Sequence, residues 1–302
     1  MRSPAAFKSI LFPVDFSEMS ALTAVHVRGV AQLTRATVTL IHVVPWLAAW
    51  CGTTELRPAV AGDEQLRDLE RQQAIALAVF QKKYLGDVPS VQLVESGAVA
   101  ETITDRATQI GADLIMMPTR GIGRSRPFLI GSTTAKVLHD AQCAVWTSPH
   151  LAALGPFTGF RHIVCALDHE HIPAGFVEEA ARLASCFDSK LTFVIARPSM
   201  DPDGRVEAFR DEFSQAHGHQ LPHTLDWSLL TESGSVGVGI RRVVEKQGAD
   251  LVLANRGHLP HRFGQFRTHT YEIVLESPCP VLSLYLLAPT ESEEVAYATS
   301  RA

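Results

Sequence analysis

An internal repeat constrains the fold of this chain more than any other feature. The four residues Gly-Ala-Asp-Leu at 111–114 recur at 248–251, and a first apolar run that ends at Asp15 has a counterpart that ends at Asp168. The matched elements occur in the same order along both halves, with fewer residues between them in the second half. Such ordered self-similarity indicates two copies of one domain.

Each copy alternates short apolar runs with segments of helical periodicity. In the first copy the predicted strands are 9–14, 36–44, 91–95, 112–117 and 144–147. The predicted helices are a Ser17-capped helix that extends to about Leu33, then 64–84, 99–109 and 132–139. Strands separated by helices form parallel sheets, because the chain needs a long crossover to start the next parallel strand.

The second copy repeats this pattern with predicted strands at 161–167, 191–196 and 225–230 and shorter ones after 250 and 279. We therefore predict an α/β fold with two repeated, doubly wound parallel-sheet domains, each with five strands in the order 3-2-1-4-5 and helices on both faces. The predicted bounds are 1–149 for the first domain, 150–160 for a linker, 161–288 for the second domain and 289–302 for a polar tail.

Composition excludes several classes of protein. The chain has 302 residues, a net charge of -5 and 46% hydrophobic residues, which argues against a general binder of nucleic acid or of a membrane surface. Its five cysteines form no Cys-x-x-Cys pair, so we expect neither a disulfide framework nor structural zinc. The N-terminus lacks the pattern of a signal peptide, and no apolar tract has the length of a membrane span, so we expect a cytoplasmic protein.

The loop between the fourth strand and the fourth helix has the features of a phosphate site. Gly121 and Gly131 allow close approach of the backbone to a ligand, and the helix that starts at Ser132 and Thr133 directs free N–H groups toward an anion. Arg120 adds positive charge to the same loop. The alternative is an ordinary surface loop with turn glycines, because glycine motifs have many false positives.

A second polar residue faces the same region if the strand order is right. In an open parallel sheet, ligands bind beyond the carboxyl ends of the strands where the order reverses, here between the first and fourth strands. Asp15 would then lie opposite the loop, and a nucleotide would extend from Asp15 to Gly131 and Ser132. The alternative for Asp15 is a helix cap or turn former.

At this point the chain resembles the universal stress proteins of the UspA type, in tandem. The resemblance is carried by FPVDFSEMS, LIHVVP, GADLIMMPTRG and GSTTAKVLHDAQCAV, and it covers nearly the whole sequence. ATP-binding members have Gly, two residues, Gly, nine residues and then Gly-Ser or Gly-Thr. Here Gly121, residues 122–130 and Gly131-Ser132 match, whereas Pro118 replaces the leading Gly.

The resemblance implies a binding site for an adenine nucleotide, ATP with Mg²⁺, in the first domain. The implied contacts with adenine and ribose are Pro13, Val14, Asp15 and Val43, with Met117 and Arg120 beside the nucleotide and Gly121, Gly131, Ser132, Thr133 and Thr134 on its phosphates. Pro118 cannot donate an N–H, and Arg120 replaces a frequent His with a permanent charge.

In the second copy the matching stretch is Ala254-Asn255-Arg256-Gly257, then residues 258–266 and Arg267-Thr268. Arg267 replaces the glycine of the final pair, so we interpret this domain as degenerate. The resemblance also implies pairing of the two domains within one chain through their fifth strands, which would cover exposed edges. A homodimer of tandem chains is left open.

Three functions are compatible with these residues. The leading hypothesis is a stress-response protein that uses bound ATP as a regulatory ligand. The alternatives are a nucleotide-free interaction scaffold with both sites degenerate, and a slow ATPase; no catalytic residue is identified. Histidines at 169, 171, 217, 219 and 223 lack the spacing of a zinc site, and we expect the 217–223 segment to be a surface loop without a physiological metal.

Overall fold

The computed structural model describes residues 6–45, 63–120, 130–149, 154–167, 172–173, 175–197, 205–256 and 265–286. These residues divide into two compact units. The N-terminal unit contains Phe7–Ser148 together with residues 154–159, and the C-terminal unit contains the described residues from Phe160 onward together with Ala6 and Pro149.

The described residues of the N-terminal unit form a five-stranded parallel sheet with four helices. Its elements are β1 (Ser9–Pro13), α1 (Glu18–Thr34), β2 (Thr37–Pro45), α2 (Asp63–Tyr84), β3 (Ser90–Gly97), α3 (Val99–Gln109), β4 (Leu114–Met117), α4 (Ser132–Asp140) and β5 (Ala144–Thr147). The strand order is β3-β2-β1-β4-β5, which confirms the predicted order. Among the helices α1 packs against α2 and α3 against α4.

The C-terminal unit has the same architecture. Its elements are β6 (His162–Leu167), α5 (Phe176–Phe187), β7 (Lys190–Arg197), α6 (Arg205–His217), β8 (Trp227–Ser233), α7 (Val236–Gln247), β9 (Leu251–Asn255), α8 (Gln265–Glu276) and β10 (Val281–Leu284). The strands follow the order β10-β9-β6-β7-β8, and every described pairing is parallel. The predicted α/β, doubly wound fold is therefore confirmed for both copies.

Helix α6 is a correction to the sequence analysis, which predicts no helix there and a loop over 217–223. Residues 205–217 are helical and residues 218–220 continue as a 3-10 turn. The helix is anchored by Phe213, which is 1% exposed and whose ring lies 5.1 Å from that of Phe193 on β7. An amphipathic helix that buries aromatic side chains is stabilised by that packing even where its other residues are charged.

The repeated Gly-Ala-Asp-Leu sequence has a structural cause. Gly111 and Gly248 follow the C-termini of α3 and α7 with φ of +61° and +64°, a conformation that favours glycine. Asp113 accepts backbone hydrogen bonds from Lys8 and Ser9, where β1 starts. Asp250 accepts the equivalent bonds at the start of β6. The motif thus joins a helix end to the first strand in both units.

Residues 154–159, which we name the strap, lie on α1 of the N-terminal unit. The Nε2 atom of His26 lies 3.1 Å from the carbonyl oxygen of Gly155, so this nitrogen donates the bond. The Phe157 ring packs edge-on against His26, with centroids 5.6 Å apart, and against Gly29. Burial lowers the pKa of His26, because the charged imidazolium is poorly solvated there.

Candidate functional site

The sheet of the N-terminal unit opens between β1 and β4 at the carboxyl ends of the strands. The pairing of β1 with β2 extends to Pro13 opposite Ile41, whereas its pairing with β4 ends at Leu11 opposite Ile115. Pro13 has no N–H to donate to β4, which accounts for the earlier end of that ladder. The strand order reverses at this point, so the opening coincides with the position where open α/β sheets bind ligands.

The backbone of Val43 faces this opening. The carbonyl of Ile41 accepts the N–H of Val14 on the β1 side, at 2.8 Å, whereas Val38 donates to Pro89 on the β3 side, at 2.9 Å. In a central strand of a parallel sheet, each residue directs its N–H and C=O toward the same neighbouring strand, and successive residues alternate between the two neighbours. Val43 therefore directs its N–H and C=O toward the side of β1, two residues beyond Ile41, where β1 has ended. A donor and an acceptor side by side can pair with a ligand edge that offers the complementary acceptor and donor.

Asp15 holds the turn that leads from β1 into α1. Its Oδ1 atom accepts hydrogen bonds from the N–H of Ser17 at 3.0 Å and from the hydroxyl of Ser20 at 2.6 Å. Ser17 in turn caps α1 by accepting from the N–H of Ser20. The structure thus shows the role of turn former, one of the two alternatives, and contact with a ribose stays a prediction.

Phe16 and His42 complete this turn, and the sequence analysis did not select either residue. Phe16 has φ of +61°, which side-chain-bearing residues rarely adopt, and its ring centroid lies 4.6 Å from that of His42. The His42 Nδ1 atom donates to the carbonyl oxygen of Val14 at 2.7 Å. His42 is visible in the LIHVVP segment, but nothing in the sequence shows that its side chain reaches Val14.

Two hydrogen bonds join the residues on either side of segment 121–129, which is outside the described residues, and form the base of the predicted loop. The N–H of Gly131 donates to the carbonyl of Thr119 at 2.9 Å, and the hydroxyl of Thr134 donates to the carbonyl of Pro118 at 3.0 Å. Thr134 is 3% exposed, so its described role is a structural one. Met117 is buried and Arg120 half-buried beside this base, whereas Gly121 lies outside the described residues.

The N-terminus of α4 is suited to an anion. Its N-cap residue is Gly131, which has no side chain to satisfy the first N–H groups of the helix. Those N–H groups belong to Ser132 and Thr133, which are exposed and half-buried. A Cβ at position 131 would lie 3.3 Å from the Thr119 carbonyl oxygen, so glycine gives the backbone the closest approach here.

The corresponding region of the C-terminal unit differs. Thr270 donates to the carbonyl of Asn255 at 3.1 Å and so repeats the bond from Thr134. However, α8 begins at Gln265, three residues earlier than the alignment with α4 requires, and Arg267 is its third residue. The N–H groups of residues 268 and 269, the counterparts of those of Ser132 and Thr133, therefore belong to the hydrogen-bonded part of the helix. Asp168 and Gly257 lie outside the described residues.

Two other kinds of site are absent from the part of the chain that the structure describes. No three His, Cys, Asp or Glu side chains there come close enough together to hold a metal ion. The segment 168–171 is outside that part. None of the described helices has both the length and the apolar character that a membrane span requires.

This geometry defines a class: an α/β protein with an open crevice at the strand reversal and an uncapped helix N-terminus beside it. The family model described as universal stress protein family matches residues 6–149 and again 159–284. The chain belongs to the universal stress protein family, with two domains in tandem, as the sequence motifs predicted.

Similarities in sequence and in structure to other universal stress proteins support this assignment. The universal stress protein Sll1654 of Synechocystis is 28% identical over 149 residues, which is 47% of this chain and 86% of that protein. A universal stress protein of Thermus aquaticus is 31% identical over 140 residues, which is 46% of this chain and 96% of that protein. A solved universal stress protein of Archaeoglobus fulgidus has a TM-score of 0.70 at 16% identity, covers 94% of this chain and is itself 99% covered, which supports the fold.

Proposed function

We propose that this universal stress protein binds an adenine nucleotide, ATP with its Mg²⁺, in the N-terminal unit and uses it as a regulatory ligand in the stress response. Pro13, Val14, Asp15 and Val43 would line the adenine and ribose side. Gly131, Ser132 and Thr133 would hold the phosphates, together with Gly121 of the loop. No residue is assigned to the metal ion or to bond cleavage.

The observation that carries this proposal is the pair of polar backbone surfaces at one opening. The backbone of Val43 faces the space beyond β1, and the uncapped N-terminus of α4 follows the adjacent β4. Hydrogen-bonding groups suited to a base and free N–H groups suited to phosphates thus flank the same point, where the strand order reverses between β1 and β4. Within the family, the glycine spacing at 121–131 is the pattern of members that bind ATP.

The scaffold hypothesis is favoured by a different observation. Two members of the expected contact set already have partners within the protein: Asp15 accepts from Ser17 and Ser20, and the Thr134 hydroxyl donates to the carbonyl of Pro118. Pro118 also removes one N–H from the loop base. If these bonds persist, the first unit has fewer groups for a nucleotide and acts through its surface, as we propose for the degenerate C-terminal unit. Such a scaffold uses pairing of the two units in one chain.

Thermal melting with and without MgATP separates these functions. A ligand at 100 times its dissociation constant adds about 2.7 kcal/mol to the free energy of unfolding. We expect this shift in the wild type and in Gly218→Arg, where the added side chain meets open space. We expect its loss in Gly131→Arg, whose side chain would start 3.3 Å from the Thr119 carbonyl oxygen and crowd the N-terminus of α4, which we propose as the phosphate site. A wild type that does not shift supports the scaffold.

Slow hydrolysis is tested in the same samples. If ADP accumulates over hours in the wild type but not in Gly131→Arg, the nucleotide is a substrate. A constant ATP concentration with a stabilised protein supports a regulatory ligand.

A further inference from the structure

The turn after β1 is fixed on both of its sides before any ligand arrives. The N–H of Val14 donates to the carbonyl of Ile41 at 2.8 Å, which extends the β1–β2 ladder by one residue. The carbonyl of Val14 accepts from Nδ1 of His42 at 2.7 Å. Because a carbonyl can only accept, Nδ1 must carry the hydrogen, and the neutral ring is the Nδ1–H tautomer. Val14 therefore has both backbone groups engaged by β2.

Phe16 is held in an unfavourable backbone conformation by packing against the same histidine. Its φ of +61° is rare for a residue with a bulky side chain and persists only where the surroundings enforce it. The Phe16 ring lies 4.6 Å from the His42 ring and meets Phe80 of α2 edge-on at 6.1 Å. His42 thus contacts the residues on both sides of Asp15.

Asp15 is positioned as a consequence. With Val14 and Phe16 fixed, its backbone cannot rotate freely, and its Oδ1 atom reaches Ser17 and Ser20 at the start of α1. Backbone strain such as that at Phe16 is concentrated at sites where a ligand needs a preorganised surface.

We propose that His42 is a positioning residue for the nucleotide: its hydrogen bond to Val14 and its contact with Phe16 preset the turn of Val14, Asp15 and Phe16 that borders the proposed adenine and ribose side of the site. This inference rests on the proposed function. It assigns to His42 no contact with the nucleotide itself, so its effect on affinity is transmitted through the backbone of the turn.

Isothermal titration with MgATP, below the melting temperature of every variant, tests this role. His42→Leu removes the donor and we expect about a tenfold weaker affinity, the effect of losing one hydrogen bond. His42→Asn places an amide N–H where Nδ1 was, and we expect it to restore most of the affinity. His26→Leu removes a similar bond from a histidine to a carbonyl, in the strap, and we expect an unchanged affinity.

The outcomes are distinguishable. A wild type that binds no ATP overturns the proposed function and this inference with it. A wild type that binds, together with His42→Leu of equal affinity, overturns only the inference, as does equal loss in His42→Leu and His42→Asn. If His42→Leu fails to fold, long-range ¹H–¹⁵N NMR of the wild type still decides: we expect a hydrogen on Nδ1 of His42, and the Nε2–H tautomer would contradict the hydrogen bond to Val14.

Discussion

Replacing Gly29 with alanine should loosen the strap from α1. A Cβ at this position would lie 2.0 Å from Cδ1 and 2.4 Å from Cγ of the Phe157 ring, distances that no packing tolerates. The ring must move, because Gly29 lies within α1 and its backbone is fixed by helical hydrogen bonds. Movement of Phe157 also separates the Gly155 carbonyl from His26.

The expected change is a balance of two opposing effects. Alanine in place of glycine within a helix stabilises by about 1 kcal/mol. Displacing the strap removes an aromatic contact and a hydrogen bond, each contributing about 1 kcal/mol, and exposes part of a Phe ring, about 1 to 2 kcal/mol more. We therefore expect Gly29→Ala to destabilise the N-terminal unit by about 2 to 3 kcal/mol.

A double-mutant cycle in urea, followed by circular dichroism, tests the cause. In the Phe157→Ala background the ring is absent, so Gly29→Ala should change sign and stabilise by about 0.5 to 1 kcal/mol. The same substitution is thus destabilising with the ring and stabilising without it. Stabilisation by Gly29→Ala in the otherwise unchanged protein would refute the described packing of the strap.

Three further changes follow from buried groups. Because burial lowers the pKa of His26 below its ordinary 6.5, the folded state favours the neutral ring, and stability should fall as the pH decreases through 6.5, by at most about 1.4 kcal/mol per pH unit. His26→Gln, which retains a donor for Gly155, should flatten that slope in urea titrations from pH 7.5 to 5.5; an unchanged slope would assign it to other groups. Burial raises the pKa of the Cys279 thiol to about 12, so iodoacetamide at pH 8 should label this residue only after unfolding, as mass spectrometry of digested protein would show. Gly237→Ala would bring a Cβ within 2.9 Å of the Glu272 carbonyl oxygen in α8 and should lower the free energy of unfolding by about 1 to 3 kcal/mol; a melting temperature equal to that of the wild type would contradict this close helix contact.

The repeat and the strand order could be predicted from the sequence because they depend on periodicity. Apolar runs such as 9–14 and 144–147 are short, bounded by turn residues and separated by helical patterns, so few topologies remain. The comparison of copies correctly indicates a shorter interval between the second and third strands of the second copy, but it does not predict the helix there. Residues 205–217 have no sequence match in the first copy, although Val206, Phe209 and Phe213 have the spacing of a helix face.

The candidate site could be predicted only in part. The positions of Val43 and Gly131 follow from strand order and helix start, which sequence patterns capture. The conformation of Phe16, the bond from His42 to Val14 and the engagement of Asp15 by Ser20 depend on distances between side chains and backbone that no pattern encodes. Asp15 illustrates the consequence: substituting it would disturb the start of α1, so position 131 is the cleaner probe of the nucleotide site.

The stoichiometry of ATP binding tests most directly whether the first unit is the nucleotide site. Isothermal titration of the full chain with MgATP should give one site per chain, and Gly131→Arg should abolish it while Gly218→Arg leaves it intact. Two sites, or one site that survives in Gly131→Arg, would contradict the assignment to the N-terminal unit. The absence of binding in the wild type at any concentration tested would contradict nucleotide binding altogether.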